Sequence, residues 1–441
     1  MPDNWWTSYL IPLYKGKGDS CECNNYRSIK LMSHTMKIYE RVLNSRLRQI
    51  VRLNENQCGF VEGKSTLDAI QSLRILVEKY RDNYRDLHMV FIDLEKAFDR
   101  VPRDLIWAAL RAQKVPEIFV KLIMDMYENA QTKVKCPAGT TKHFSVQVGV
   151  HQGSVLSPFL FNIVFDYLLK NLVNEPNVTS LFFADDVAII SSSVVDLQNT
   201  LDKWRSALEE NGFRISRSKT EHLSCLFSDP LSSMPDIYLD GIVLPKSTKF
   251  KYLGSIVNQM GDCSDDVGHR IGVGWMKWKE NSGFLCDRRI PLKLKGKFYT
   301  TVIRPALTYG TQCWTMYESY KNKMTATEMK MLRMTAGVTK LDRIKSVLIR
   351  GSLKIKNSIV DQIEKNRLSW YCHVQRRPET NPVREALEVR VEQAIRRRGR
   401  KKNSWVGQMG KLGESLGLTS NIVQDRNACR RILRSANRAR L

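Results

Sequence analysis

Two adjacent carboxylates, Asp185 and Asp186, sit between apolar, β-favouring residues in the run Leu181-Phe182-Phe183-Ala184-Asp185-Asp186-Val187-Ala188-Ile189-Ile190. The pattern predicts a strand, a tight turn and a second strand, with both acids at the turn. Like charges side by side at the tip of a buried hairpin repel. A divalent cation offsets that repulsion, and oxygen-only ligands favour a hard ion such as Mg²⁺. Taken alone, the tetrapeptide reads equally well as an ordinary polar turn, because Asp makes turns without any ligand.

Charge narrows the choice of partner. The 441 residues carry 70 Lys and Arg against 45 Asp and Glu, a formal net charge of +25. A chain this basic usually meets a polyanion, with nucleic acid the first expectation. Hydrophobic content of 42% is enough for a sizeable core, and the length suggests about two to four domains. Ten cysteines show no disulfide-like framework, and Cys21 and Cys23 have no second pair at zinc-ligand spacing. No basic, then apolar, secretory leader opens the chain. The most apolar long segment, Val155 to Leu169, is broken by Pro158, Asn162 and Asp166 and is too short to span a bilayer. These features lead us to expect a soluble, intracellular protein with no membrane partner.

Periodicity sets the coarse organisation. Ser8 to Tyr14 and Asn25 to Leu31 read as strands flanking a lysine-bearing turn, Lys15-Gly16-Lys17-Gly18-Asp19. Apolar residues recur at helical spacing from Ser33 to about Arg52, and again after Ser65 or Thr66. His88 to Leu94 is a short apolar strand ending in an acid. Helices are expected to about Ala130, then a strand from Lys142 to Val150. Ser157-Pro158 looks like an N-cap with proline at the first helical position, opening a helix to about Val173. Asp196 to Gly212 is a further helix. Strands and turns run on to about Val257, and the chain beyond Cys263 is mainly helical. It becomes strongly basic after Gln375, most densely at Arg396 to Lys402. Strands set among helices imply an α+β core with a helical C-terminal part.

The second informative stretch is Phe91-Ile92-Asp93-Leu94-Glu95-Lys96-Ala97-Phe98-Asp99. Asp93 ends one apolar strand as Asp185 and Asp186 end another. Three carboxylates gathered at strand ends can hold two Mg²⁺ ions about 3.5–4 Å apart, one activating a hydroxyl and one neutralising leaving oxygens. Phosphoryl transfer needs mainly that positioning and charge stabilisation. Between these acids lies Gly149-Val150-His151-Gln152-Gly153-Ser154-Val155-Leu156-Ser157-Pro158. Gly153 permits a close backbone approach, and Gln152 offers a donor and an acceptor. Plainer readings stand beside these. Phe98 alone is a core aromatic, Glu95 and Asp99 are solvated helix or turn acids, Asp166 is a helix residue, and His151 is structural or a substrate-edge group. Trp275 and Trp278 read as packing residues of a helical region.

With these blocks in view, the chain resembles the reverse transcriptases of non-LTR (LINE-type) retrotransposons. Tyr9 to Leu31 resembles the fingers motif, and Gln57-Cys58-Gly59-Phe60 through Thr66 to Ile70 the next fingers block. Phe91 to Phe98 resembles the first palm carboxylate motif. Gly149 to Pro158 resembles the template and nucleotide motif, and Phe183 to Asp186 the paired-aspartate motif. Gly212 to Thr220 resembles the lysine motif, and Tyr252-Leu253-Gly254 the primer-grip turn. Arg367 to Val374 is a weaker match, to the C-terminal region of some such elements, with Cys372 where the family often has glycine. Ser28 stands where it commonly has proline.

The resemblance implies a right-hand polymerase: fingers and palm over 1–265, a helical thumb-like region over 266–350 and a basic C-terminal region over 351–441. It implies an RNA-directed DNA polymerase (a nucleotidyltransferase) with an RNA template, a DNA primer and dNTPs, in an intracellular ribonucleoprotein of nucleus and/or cytoplasm. Asp93, Asp185 and Asp186 would bind two Mg²⁺ ions, with Mn²⁺ as the alternative. Phe98 would exclude a 2′-OH. Arg27 with Lys15 or Lys17 would contact the triphosphate, and Gln152 and Gly153 would line the nucleotide site. Lys219 would protonate the leaving pyrophosphate, a role that also fits general acid chemistry. No upstream block resembles the endonuclease such elements carry, so a truncated chain of impaired activity is part of the expectation. Two rivals remain at this stage: a catalytically inactive nucleic-acid-binding relic, and a metal-dependent nuclease using the same carboxylates. The nuclease leaves Phe98, Gln152-Gly153 and Lys219 unexplained.

Overall fold

A computed structural model describes all residues except Lys17, Asn171, Asn174, Pro176, 394–402, Arg440 and Leu441. The chain forms two compact units. The first comprises Met1–Thr66, His88–His222 and Pro235–Lys246; the second comprises Leu67–Leu87, Leu223–Met234 and Ser247–Leu441. The dense basic run Arg396 to Lys402 lies outside the described residues.

In the first unit, the expected hairpin forms from Val178–Phe183 and Asp186–Ser191. They pair antiparallel, with Phe183 opposite Asp186. The strand Leu87–Ile92 pairs antiparallel on the other side of Asp186–Ser191, with Ile92 opposite Val187. This strand is buried along its whole length, which explains why it reads as an unbroken apolar run rather than an alternating one. A second sheet centres on Thr7–Tyr14, antiparallel to Tyr26–Leu31 and parallel to Gln131–Cys136.

The core lies between the hairpin and its helices. Helix Val194–Glu209 starts on a Ser193 cap, whose side chain accepts from the Asp196 N–H. It lays Leu197, Leu201, Trp204 and Leu208 inward, and Trp204 stacks on Phe182 at 5.4 Å. Helix Ser157–Leu169 is buried around most of its circumference, so its apolar residues are continuous rather than striped. Each such large side chain contributes about 1.5–3 kcal/mol on burial.

Three expectations shift in detail. The strand expected over Lys142 to Val150 shrinks to Phe144–Ser145, while Gln131–Cys136 supplies the longer strand. Gly149 turns out of strand geometry with φ 86°, and its N–H and that of Val150 bond to Val101 and Phe98 instead. The helix after Ser157 ends at Leu169, short of Val173. It has no side-chain cap from Ser157, and Pro158 follows as the second helical residue. The Ser154 hydroxyl accepts from the N–H groups of Leu156 and Ser157 in its place.

His222, fully buried, sets a pH limit on the first unit. Burial pushes its pKa down to about 4, helped by His88 and Lys246 and opposed by Asp236. The unfolded chain therefore binds more protons between pH 6.5 and 4, so stability falls as pH drops through that window. The full loss is about 3 kcal/mol. Urea unfolding from pH 7 to 4 should show this slope, and His222→Gln should flatten it.

The second unit is mainly helical around a core that includes Trp278, Leu285, Tyr299, Ile303, Trp314 and Met324. Trp278 is buried and its indole N–H donates to Thr335, while Trp275 packs edge-on against it. Helix Ile359–Gln375 opens on a Ser358–Asp361 capping box. No helix among the described residues is long and apolar enough to cross a membrane. All ten cysteines are free.

Candidate active site

The hairpin turn that carries the acids is held by a loop distant in sequence. Ala184 takes a left-handed conformation, φ 57°, unusual for a residue with a Cβ. The Gln57 side-chain oxygen accepts from the Ala184 N–H at 3.0 Å and from the Gly59 N–H at 2.8 Å. The Cys58 N–H donates to the Phe182 carbonyl, and the Phe182 N–H to Asn56. Gly59 packs directly on the turn: a Cβ there would lie 2.3 Å from the Ala184 nitrogen. Asn162 completes the clamp by donating to the Gly59 carbonyl at 2.7 Å. The Gln57–Phe60 block thus fixes the tip backbone and leaves the Asp185 and Asp186 side chains free of it.

Asp93 emerges from the neighbouring strand, one residue beyond Ile92. The lysine-containing segment docks against it. The Asp93 carbonyl accepts from the Ser216 N–H at 2.8 Å, the Thr220 hydroxyl accepts from the Asp93 N–H at 3.3 Å, and Glu95 N–H donates to the Arg214 carbonyl. Lys219 Nζ lies 3.5 Å from Asp93 Oδ2. The lysine is 70% exposed, so the pair adds little to stability; its interest is position.

The acids act on one another. Burial pushes the Asp186 pKa up to about 6, reinforced by Asp185 and then Asp93. Burial also raises Asp185, with Asp93 adding and Arg27 opposing. Arg27, exposed on its strand, is therefore within electrostatic reach of the hairpin tip. A desolvated set of oxygen donors that repel one another fits a hard divalent cation in both donor type and charge. Among the described residues, no three His, Cys, Asp or Glu side chains are already gathered as a cation cage.

The loop Gly149 to Ser157 is braced from several elements. Gln152 Nε2 donates to Asp99 Oδ1 at 2.9 Å, and the Gln152 carbonyl accepts from the Lys30 N–H at 2.7 Å. Gly153, φ 109°, is required because a Cβ would meet the Lys30 carbonyl at 2.6 Å. The close approach it permits is thus to the chain's own strand. The buried Glu40 carboxylate accepts from the Ser154 hydroxyl at 2.6 Å and the Val155 N–H at 2.9 Å. Burial raises the Glu40 pKa and brings Lys30 down to about 8, with Arg103 adding and Glu40 opposing. His151 stacks on Tyr127 at 4.3 Å, and burial holds it neutral, well below the usual histidine range. Phe98 stacks on Phe161 at 4.6 Å and is only partly buried.

Residues 15–257, more than half of the chain, match the reverse transcriptase (RNA-dependent DNA polymerase) family. The chain belongs to that family. The Pol polyprotein of the type-1 retrotransposable element R2 from Popillia japonica is 28% identical over 70% of this chain and 44% of its own length. The RNA-directed DNA polymerase of mobile element jockey from Drosophila funebris is 23% identical over 89% of this chain and 44% of that protein. These matches place the reverse transcriptase with the non-LTR retrotransposon polymerases. It spans less than half the length of either relative. Among solved structures, telomerase from Candida tropicalis with a fragment of telomeric RNA aligns at 13% identity and a TM-score of 0.48, over 89% of this chain and 65% of that one. The mixed helix-and-strand architecture is that of the α+β polymerase fold.

The remaining sequence candidates of the reverse transcriptase are placed as follows. Lys15 is exposed and donates from Nζ to the Asn24 carbonyl at 2.7 Å; Lys17 lies outside the described residues. Tyr252-Leu253-Gly254 belongs to the second unit, where it closes a hairpin of Lys249–Tyr252 and Ser255–Asn258. Leu253 and Gly254 both take positive φ, the two-residue turn that suits strand twist. Tyr309 donates its hydroxyl to the Leu253 carbonyl, and Arg270 donates to that of Gly254. The Tyr252 side chain is buried.

Sequence reasoning missed several members of the site. Asp99, read as a solvated helix or turn acid, orients Gln152. Asp166, read as an ordinary helix residue, accepts from the Asn54 N–H at 3.1 Å. Gln57 and Thr220 lay inside recognised blocks with no role of their own, and Glu40 lay outside every block. The one sign at Glu40 was an acid on the buried face of helix His34–Ile50, beside Met36, Leu43 and Leu47.

Proposed function

We propose that the chain is an RNA-directed DNA polymerase, joining the 3′-OH of a DNA primer to the α-phosphate of a dNTP and releasing pyrophosphate. The observation that carries this reading is the set of mutually repelling carboxylates Asp93, Asp185 and Asp186 on adjacent strand ends, with Lys219 beside Asp93. Those three aspartates would hold two Mg²⁺ ions, or Mn²⁺. The bound ions would lower the pKa of the attacking hydroxyl and neutralise the leaving oxygens.

The other residues bind and orient. Arg27, within electrostatic reach of Asp185, would take triphosphate charge, with Lys15 or Lys17 from the adjoining turn. Gln152, held by Asp99, and Gly153, seated on Lys30, would keep the nucleotide and template loop in one conformation. Lys219 would carry a proton at Nζ for the departing pyrophosphate. Phe98, braced by Phe161, would press on the incoming sugar. Tyr252-Leu253-Gly254 would support the primer. Fingers and palm would occupy 1–265, the thumb 266–350 and a basic region 351–441, acting in an intracellular ribonucleoprotein of nucleus or cytoplasm within retrotransposon replication.

Primer extension on poly(rA)/oligo(dT) with Mg²⁺ tests the reading. The unaltered chain should extend the primer, and Asp185→Ala should reduce extension by at least about 10³-fold. Equal background from both would leave the inactive nucleic-acid-binding relic as the correct description. Phe98→Val should admit ribonucleotides, lowering dNTP-over-rNTP discrimination by roughly 10–100-fold while dNTP incorporation persists. Unchanged discrimination would remove Phe98 from the sugar site.

A further inference from the structure

The second unit contains a cavity of about 300 Å³ that the polymerase reading does not use. Three arginines reach its wall: Arg376, at the end of helix Ile359–Gln375, and Arg426 and Arg430, one turn apart on helix Arg426–Ala439. Trp370, His373 and Leu433 supply aromatic and apolar surface, and among the described residues no carboxylate lines the space. Arg376 is fixed by donating to the Val423 carbonyl at 2.7 Å. Arg426 and Arg430 are exposed and make no ion pair among the described residues. The Trp370 indole N–H is buried with no acceptor, in a side chain only 8% exposed. Its ring lies 5.3 Å from that of His373.

Positive groups around one concavity repel unless an anion enters, and guanidinium forks match phosphate oxygens. The volume is at the small end of ligand sites, of the order of one nucleotide. Aromatic rings beside cations are the usual means of holding an unpaired base next to its phosphate. We infer that this cavity is a second nucleic-acid site, taking one phosphate of a single-stranded segment on Arg376, Arg426 and Arg430 and the adjoining base against Trp370 and His373. Its lining includes none of the three aspartates, and it does not depend on polymerisation.

The test is fluorescence anisotropy of labelled eight-nucleotide single-stranded RNA, and the same sequence as DNA, on the full chain carrying Asp185→Asn. Arg426→Ala with Arg430→Ala should weaken binding about tenfold. It should also lower the salt slope by about 0.7, the value for one single-strand phosphate contact. Lys340→Ala with Lys345→Ala removes equal charge from exposed positions of the same unit and should change affinity less than twofold. Trp370→Phe keeps an aromatic face but loses the indole N–H and part of the stacking area, and should weaken binding severalfold. The RNA and DNA arms identify the preferred strand; the arginine-pair loss on either supports the site. Equal weakening by both double variants, or none by the arginine pair, overturns it. So does an arginine effect on inorganic phosphate binding that is absent from both oligonucleotides. Primer extension is scored separately, so a chain that fails to polymerise still tests this site.

Discussion

Gly59→Ala should lower primer extension by the chain about 10²-fold without touching a carboxylate. The added Cβ would lie 2.3 Å from the Ala184 nitrogen and 2.7 Å from the Phe183 carbonyl carbon. Both are backbone atoms, so no side-chain rotation relieves the clash. The turn must move away from the loop, lengthening the 3.0 Å bond from the Ala184 N–H to Gln57. Displacing reacting groups by about 1 Å is enough for a hundredfold loss. Overpacking should also cost about 1–3 kcal/mol of unfolding free energy. Gly272→Ala is the control, because nothing lies within 4 Å of its added Cβ and the helix should gain about 0.5–1 kcal/mol. Full activity in Gly59→Ala would mean that the loop does not set the position of the acids.

Asp266→Ala should destabilise the second unit by about 3–5 kcal/mol. Asp266 is fully buried. Its carboxylate accepts from Arg74 at 2.9 Å, Ser255 at 2.7 Å, the Ile256 N–H at 3.0 Å and the Trp314 indole at 2.7 Å. Truncation leaves the buried Arg74 guanidinium without its counter-charge and several donors without an acceptor. The same carboxylate ties the Ser255–Asn258 strand to helix Ser264–Glu280, so the Tyr252–Gly254 turn should loosen with it. Urea unfolding measures the loss. Adding Arg74→Met should restore part of it, since removing both charges avoids an unpaired one. A loss under about 1 kcal/mol in the single variant would show that water or rearrangement satisfies Arg74.

Local pattern carried much of the architecture. The hairpin at Asp185-Asp186 and the strand before Asp93 are apolar runs ending in acids, and such runs are legible because burial selects for them. Helix Val194–Glu209 was legible for the same reason, its Leu197, Leu201, Trp204 and Leu208 falling on one face. The stretch Lys142 to Val150 misled because only Phe144–Ser145 pairs as strand, whereas Gly149 and Val150 donate to the Val101 and Phe98 carbonyls in a turn. Asp99 misled because an acid in a short helix or turn looks solvated until Gln152 is known to reach it.

Which carboxylates end which strands, the family and the basic character are all legible along the chain, since each rests on neighbouring residues or on total charge. How that site is held emerges only in the folded molecule. Gln57 meets Ala184 across 127 residues, Glu40 meets Ser154 across 114, and Gln152 meets Asp99 across 53. No local period encodes such pairs, because hydrogen bonds and close packing depend on where the folded backbone brings two groups together rather than on their spacing along the chain.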